Sequence, residues 1–167
     1  MKYVFHICFL LLFSVIQPTL LEYAEIFGAK INLFLTYIVV VSCCCKKKEG
    51  AIVGFSFGLI LDVLVGRIIG INAVMMMAAA FLVANFCEKA IRKNTLWITL
   101  LIVGVSTLMY ELLYYIVAFL GNLEFAAVFL RILLPEILGG MIAALPLYFI
   151  VGRAARFLWN DKGESIG

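Results

Sequence analysis

The chain has 167 residues, of which 66% are hydrophobic and only 14% charged, and its mean hydropathy is +1.16. A soluble domain of this length is roughly half apolar and a quarter charged, so water is excluded as the solvent for most of this surface, and lipid fits. The net charge of +3 gives no footing for nucleic acid, and no such partner is expected.

A bilayer core about 30 Å thick is crossed by about 20 apolar helical residues. Six stretches meet or approach that length: residues 3–21, 31–45, 50–65, 68–87, 96–120 and 132–151. The chain therefore reads as one all-α transmembrane domain, 1–167, of about six helices.

The first stretch, Tyr3 to Ile16 after Lys2, has the outline of a secretory signal. The residues that follow (Gln17, Pro18, Thr19, Leu20, Leu21, Glu22) offer no small-x-small cleavage site, so an uncleaved first helix is expected. The second stretch is short; extended back to Ile26, it would leave Lys30 to snorkel to the outer surface. The third and fourth are separated by little more than Gly66 and Arg67, which predicts a tight helical hairpin.

With the N-terminus inside, the inner segments hold Lys2, Lys46, Lys47, Lys48, Lys89, Arg92, Lys93, Arg153, Arg156 and Lys162. Only Lys30, Arg67 and Arg131 of the 13 basic residues fall outside. Positive loops stay on the cytoplasmic side, so both termini are expected there. Trp97 and Trp159 fall at the same interface, where an amphipathic ring is favoured. Cys8, Cys43, Cys44, Cys45 and Cys87 then occupy cytoplasmic halves of helices, where thiols stay reduced. Three adjacent cysteines point in different directions on a helix, so Cys43–Cys45 read as small apolar residues rather than a metal site, and no cofactor is expected.

The most informative segment runs from Gly50 to Asn72. Gly50, Gly54 and Gly58 form a small-residue stripe on the third helix that lets another helix approach closely. The stripe serves either packing inside the bundle or docking of a partner's membrane helix. Asp62 lies on the same helix toward the outer surface, where a carboxylate has to be interior, paired or near the interface. It could brace the turn, with Arg67 as its partner. Gly66 and Gly70 permit that turn, and Asn72 could bond backbone groups freed there.

Glu111 in the fifth helix and Glu136 in the sixth complete an outer-half set of acids facing Arg67 and Arg131. Such a cluster could be a ligand pocket, a partner site or a buried structural network. Pro135 suits the first turn of a helix and Glu136 would complement the dipole there. Glu111 lacks that explanation and could pair with Arg131. The single histidine, His6, reads as an interfacial residue, and neither a phosphate loop, an HExxH nor a nucleophile elbow is present, so no enzyme is expected.

The pattern Gly58-Leu59-Ile60-Leu61-Asp62, then Gly66, then Ile69-Gly70-Ile71-Asn72 resembles that of the MreD family, a membrane subunit of the bacterial rod-shape system, or elongasome. Gln17, the segment Lys30-Ile31-Asn32-Leu33 and Tyr110-Glu111-Leu112 fit the same family, although many members have proline where Ile31 stands here. The resemblance implies a non-enzymatic scaffold of lateral wall synthesis in the bacterial inner membrane. It also implies an MreC-like bitopic partner, with MreB, RodA and a penicillin-binding transpeptidase beyond it. It further implies a fold similar to the S-components of energy-coupling-factor vitamin transporters. The rival reading is therefore a small-molecule carrier of that kind. Against it, the first helix, Phe5 to Gln17, is bulky and lacks the small-residue face by which S-components dock.

Overall fold

The structure is a computed structural model that describes residues 2–24, 31–44, 47–64, 70–90, 96–118 and 125–159; several side chains at helix ends, Arg131 among them, lie outside that set. All the described residues but 31, 32 and 70 are helical: α1 (Lys2–Ala24), α2 (Leu33–Cys44), α3 (Lys47–Leu64), α4 (Ile71–Ala90), α5 (Leu96–Ala118) and α6 (Phe125–Trp159). Two segments, Leu96–Leu113 and Leu133–Ala155, are long and apolar enough to cross a membrane by themselves.

Helix α2 is the centre of the molecule. Every residue from Phe34 to Ser42 is buried, and all five other helices touch it. It holds only 12 residues, so it rises about 18 Å, well short of a hydrocarbon core about 30 Å thick. The apolar surface has been turned outward instead. Val15, Val63, Leu82, Leu101, Leu134 and Ile142 are all well exposed. In water so continuous an apolar surface would drive aggregation, whereas lipid solvates it at no cost. Polar side chains take the interior: Gln17, Thr36, Asp62, Asn72, Thr107 and Glu136 are buried.

Aromatic packing fastens α1 and α3 to the central helix. The Tyr37 ring is stacked between Phe9 and Phe57, with centroids 4.9 and 5.1 Å away. Its hydroxyl would be stranded in that setting without a partner, and it shares a 2.8 Å hydrogen bond with His6 Nδ1. His6 is therefore a buried partner of the core, bonded to the central helix.

The helix limits differ most in α6. It starts at Phe125, well before residue 132, because the segment Phe-Ala-Ala-Val-Phe-Leu continues the helix toward its N-terminus without a breaker. Pro135 and Pro146 both lie inside this helix. Each removes one helical hydrogen bond, a loss that membrane helices absorb through neighbouring groups. Pro135 is thus not in a first turn, and the helix-dipole explanation for Glu136 fails. Helix α3 likewise begins at Lys47 rather than residue 50, with Glu49 in its first turn, where a carboxylate suits the dipole.

Candidate functional site

A helix begins with N–H groups that have no partner within the helix, and in hydrocarbon each one left bare costs several kcal/mol. The starts of α2 and α4 meet this problem in the same way: the helix before each supplies a polar side chain. At α2, Asn32 Oδ1 accepts the Leu35 N–H at 3.0 Å, an ordinary N-cap. Gln17 reaches over from α1 and uses both ends of its amide. Its Oε1 accepts the Leu33 N–H at 3.0 Å, and its Nε2 donates to the Ile31 carbonyl at 3.0 Å.

At α4 the cap is Asp62, from near the end of α3. One carboxylate oxygen accepts the Asn72 N–H at 3.1 Å; the other accepts the Gly70 and Ala73 N–H groups at 2.9 and 3.0 Å. Asp62 is 1% exposed, so these bonds act away from water. Gly70 has φ +104°, a backbone conformation that side chains resist, and it lets three N–H groups of a single turn converge on one carboxylate. Its own carbonyl accepts the Val74 N–H at 3.0 Å and opens the helix. Asn72 then extends the network sideways: the Tyr110 hydroxyl of α5 donates to its Oδ1. The groups freed at the turn are therefore bonded by Asp62, while the Asn72 side chain ties α4 to α5.

The glycines of α3 divide between two neighbours. A Cβ on Gly58 would lie 2.5 Å from both Ala73 Cα and the Asn72 carbonyl oxygen, so α4 crosses backbone to backbone at this point. One on Gly54 would meet the Met76 carbonyl oxygen at 2.8 Å. Gly50 instead faces α2, with Ser42 Oγ 2.7 Å from a built Cβ. Four residues on a 3.6-residue helix drift by about 40°, so a stripe of this spacing turns from one neighbour to the next along its length.

Two further acids lie in α5 and α6. Glu136 is 4% exposed and Glu111 half-buried. Gly66 and Arg67 lie outside the described residues, as does the Arg131 side chain, so the pairings Asp62–Arg67 and Glu111–Arg131 fall outside them too. A cleft of about 220 Å³ opens between α1 and α3, lined by Tyr3, His6, Glu49 and Phe57 among others; Asp62, Glu111 and Glu136 do not line it.

Chemically, the Asp62 arrangement holds backbone. Both oxygens are engaged by N–H groups of the chain itself, which leaves the carboxylate turned inward and not toward a substrate. Among the described residues, no three His, Cys, Asp or Glu side chains come together as a metal site would require. Gln17, Asn32 and Tyr110 belong to the site although the sequence marks them only as residues that fit the family. Their signal lies in the sequence: each is a polar residue set into an apolar run, and Asn32 stands directly before the start of a short helix.

The model of one family, described as rod shape-determining protein MreD, matches residues 1–157 of the 167. No curated protein and no solved structure gives a match.

Proposed function

Because the chain belongs to the MreD family of rod shape-determining membrane proteins, we propose that it acts as a non-enzymatic scaffold of the wall-elongation machinery in the bacterial inner membrane. It would receive the membrane helix of an MreC-like bitopic protein and, through it, work beside MreB, RodA and a penicillin-binding transpeptidase. The family match over residues 1–157 is the observation that carries this reading. The side chains add physical support. Their polar groups cap helix starts and join helices, while the outer faces offer apolar surface for lateral contacts in lipid. Gly54 and Gly58 are taken up by α4, so a partner helix would meet a different face.

The test is crosslinking-assisted co-purification with an MreC-like protein from the same host, together with depletion of the chain. Expected are capture of the partner and rounding of rod-shaped cells. Normal rods after clean deletion, with tight vitamin binding by the purified protein, would move the assignment to a carrier.

We read the six helices as six crossings with both termini in the cytoplasm. On that reading the Lys46–Lys48 run faces anionic lipid or a cytoplasmic partner. A reporter fused after Lys48 should be active only in the cytoplasm. Activity confined to the periplasm would reverse the orientation of every helix.

A further inference from the structure

We infer that Cys43 and Cys87 form a dithiol that closes to a reversible disulfide on exposure to peroxide, joining the ends of α2 and α4. The two thiols stand 44 residues apart in sequence, yet Cys87 Sγ lies 3.2 Å from Cys43 Sγ. Both occupy the last turn or so of their helices, so the contact joins the central helix to α4 at the end away from the Asp62 cap. A disulfide bond is about 2.05 Å long, so the sulfurs have to close by about 1.2 Å, the scale of a small side-chain rotation. Cys44 points about 100° away around α2 and does not share this direction.

The chemistry balances with peroxide as oxidant. Oxidation from either thiol ends in the same disulfide, and its steps can be followed from the half-buried Cys43. Its sulfur attacks peroxide; an S–O bond forms, the O–O bond breaks, and a sulfenic acid and one water result. The Cys87 sulfur then attacks the Cys43 sulfur. The S–S bond forms, the S–O bond breaks, and the hydroxyl leaves with the Cys87 proton as a second water. Two thiols have given two electrons to one peroxide. In the orientation proposed above, this end is cytoplasmic, so the pair is reduced at rest and closes only under oxidative load. Closure would pin α4 to the central helix beside the Lys46–Lys48 run.

The experiment uses the full chain in native membrane vesicles. The vesicles are treated with hydrogen peroxide, the remaining thiols are blocked with N-ethylmaleimide, and the digest is mapped by mass spectrometry. Expected is a joined peptide pair containing Cys43 and Cys87, two hydrogens lighter than its parts, with the loss of two alkylation sites and their return on treatment with dithiothreitol. Cys87→Ser should abolish the joined pair, and Cys44→Ser should leave it unchanged. The proposal is overturned by Cys43 and Cys87 that both remain alkylated after peroxide. Joining of either to a different cysteine overturns it as well, as does a Cys43–Cys87 disulfide present before any oxidant. Where Cys87→Ser fails to fold, the peptide map of the unmodified chain decides alone.

Discussion

Asp62→Ala should destabilise the protein more than any other single side-chain truncation in the α3–α4 hairpin, by about 3 kcal/mol or more. The substitution removes one carboxylate but leaves three donors bare, the N–H groups of Gly70, Asn72 and Ala73. A buried donor left unsatisfied costs about 1–3 kcal/mol, and water cannot easily replace the lost partner where the site is 1% exposed. Fraying the start of α4 would also release Asn72 from Tyr110, so α5 loosens with it. Asp62→Asn keeps the shape and one acceptor oxygen, but it points an NH2 group at backbone donors. It should recover only part of the loss. The measurement is the unfolding midpoint of the detergent-purified protein, paired with its capture of an MreC-like partner. If Asp62→Ala melted with the parent chain, the carboxylate would not be the cap described here.

Gly58→Ala should be nearly as damaging, although it adds a single methyl group. That methyl would sit 2.5 Å from Ala73 Cα and from the Asn72 carbonyl oxygen, both of which are backbone atoms that no rotamer change can move. Relief requires α4 to back away from α3, which also lengthens the Asp62 bonds nearby. Overpacking of this kind costs about 1–3 kcal/mol, and the coupling to the cap puts this site at the upper end. Gly152→Ala is the control. Nothing lies within 4 Å of a Cβ there, and alanine is the better helix former by up to about 1 kcal/mol, so this variant should match or exceed the parent. Gly70→Ala separates crowding from conformation: its Cβ would also meet nothing within 4 Å, yet φ is +104°. Its loss would be backbone strain alone, on the order of 1–3 kcal/mol. A series in which Gly58→Ala and Gly152→Ala behaved alike would remove the backbone crossing from the account.

These two effects explain why the Gly58 to Asn72 segment reads as a unit. Gly58 lets α4 come close, Asp62 closes off its first N–H groups, Gly70 supplies the turn, and Asn72 passes the connection to α5. Gln17 and Asn32 repeat the device for α2, the shortest helix and the deepest. A helix of 12 residues can stand at the centre of a membrane protein only if its ends are satisfied by side chains, since lipid offers them nothing.

Hydropathy is additive along a chain, so the sequence alone determined that lipid is the solvent, that the fold is helical, and roughly where six helices run. It also pointed to Asp62, Gly58 and Asn72 through their spacing, because a carboxylate within an apolar helix demands an explanation wherever it lies. The partner of each group was decided only by the tertiary structure. The bond from Gln17 to the start of α2, the turning of Gly50 toward α2 and of Gly58 toward α4, the burial of His6 against Tyr37, and the meeting of Cys43 with Cys87 all depend on which helices become neighbours. The early start of α6 belongs with them: a proline that reads as the opening of a helix in an apolar run is tolerated inside one once surrounding helices satisfy the freed carbonyl. Local pattern reports a residue's preference for lipid or water. It does not report what stands across from it, and in this protein the polar groups are defined by what stands across from them.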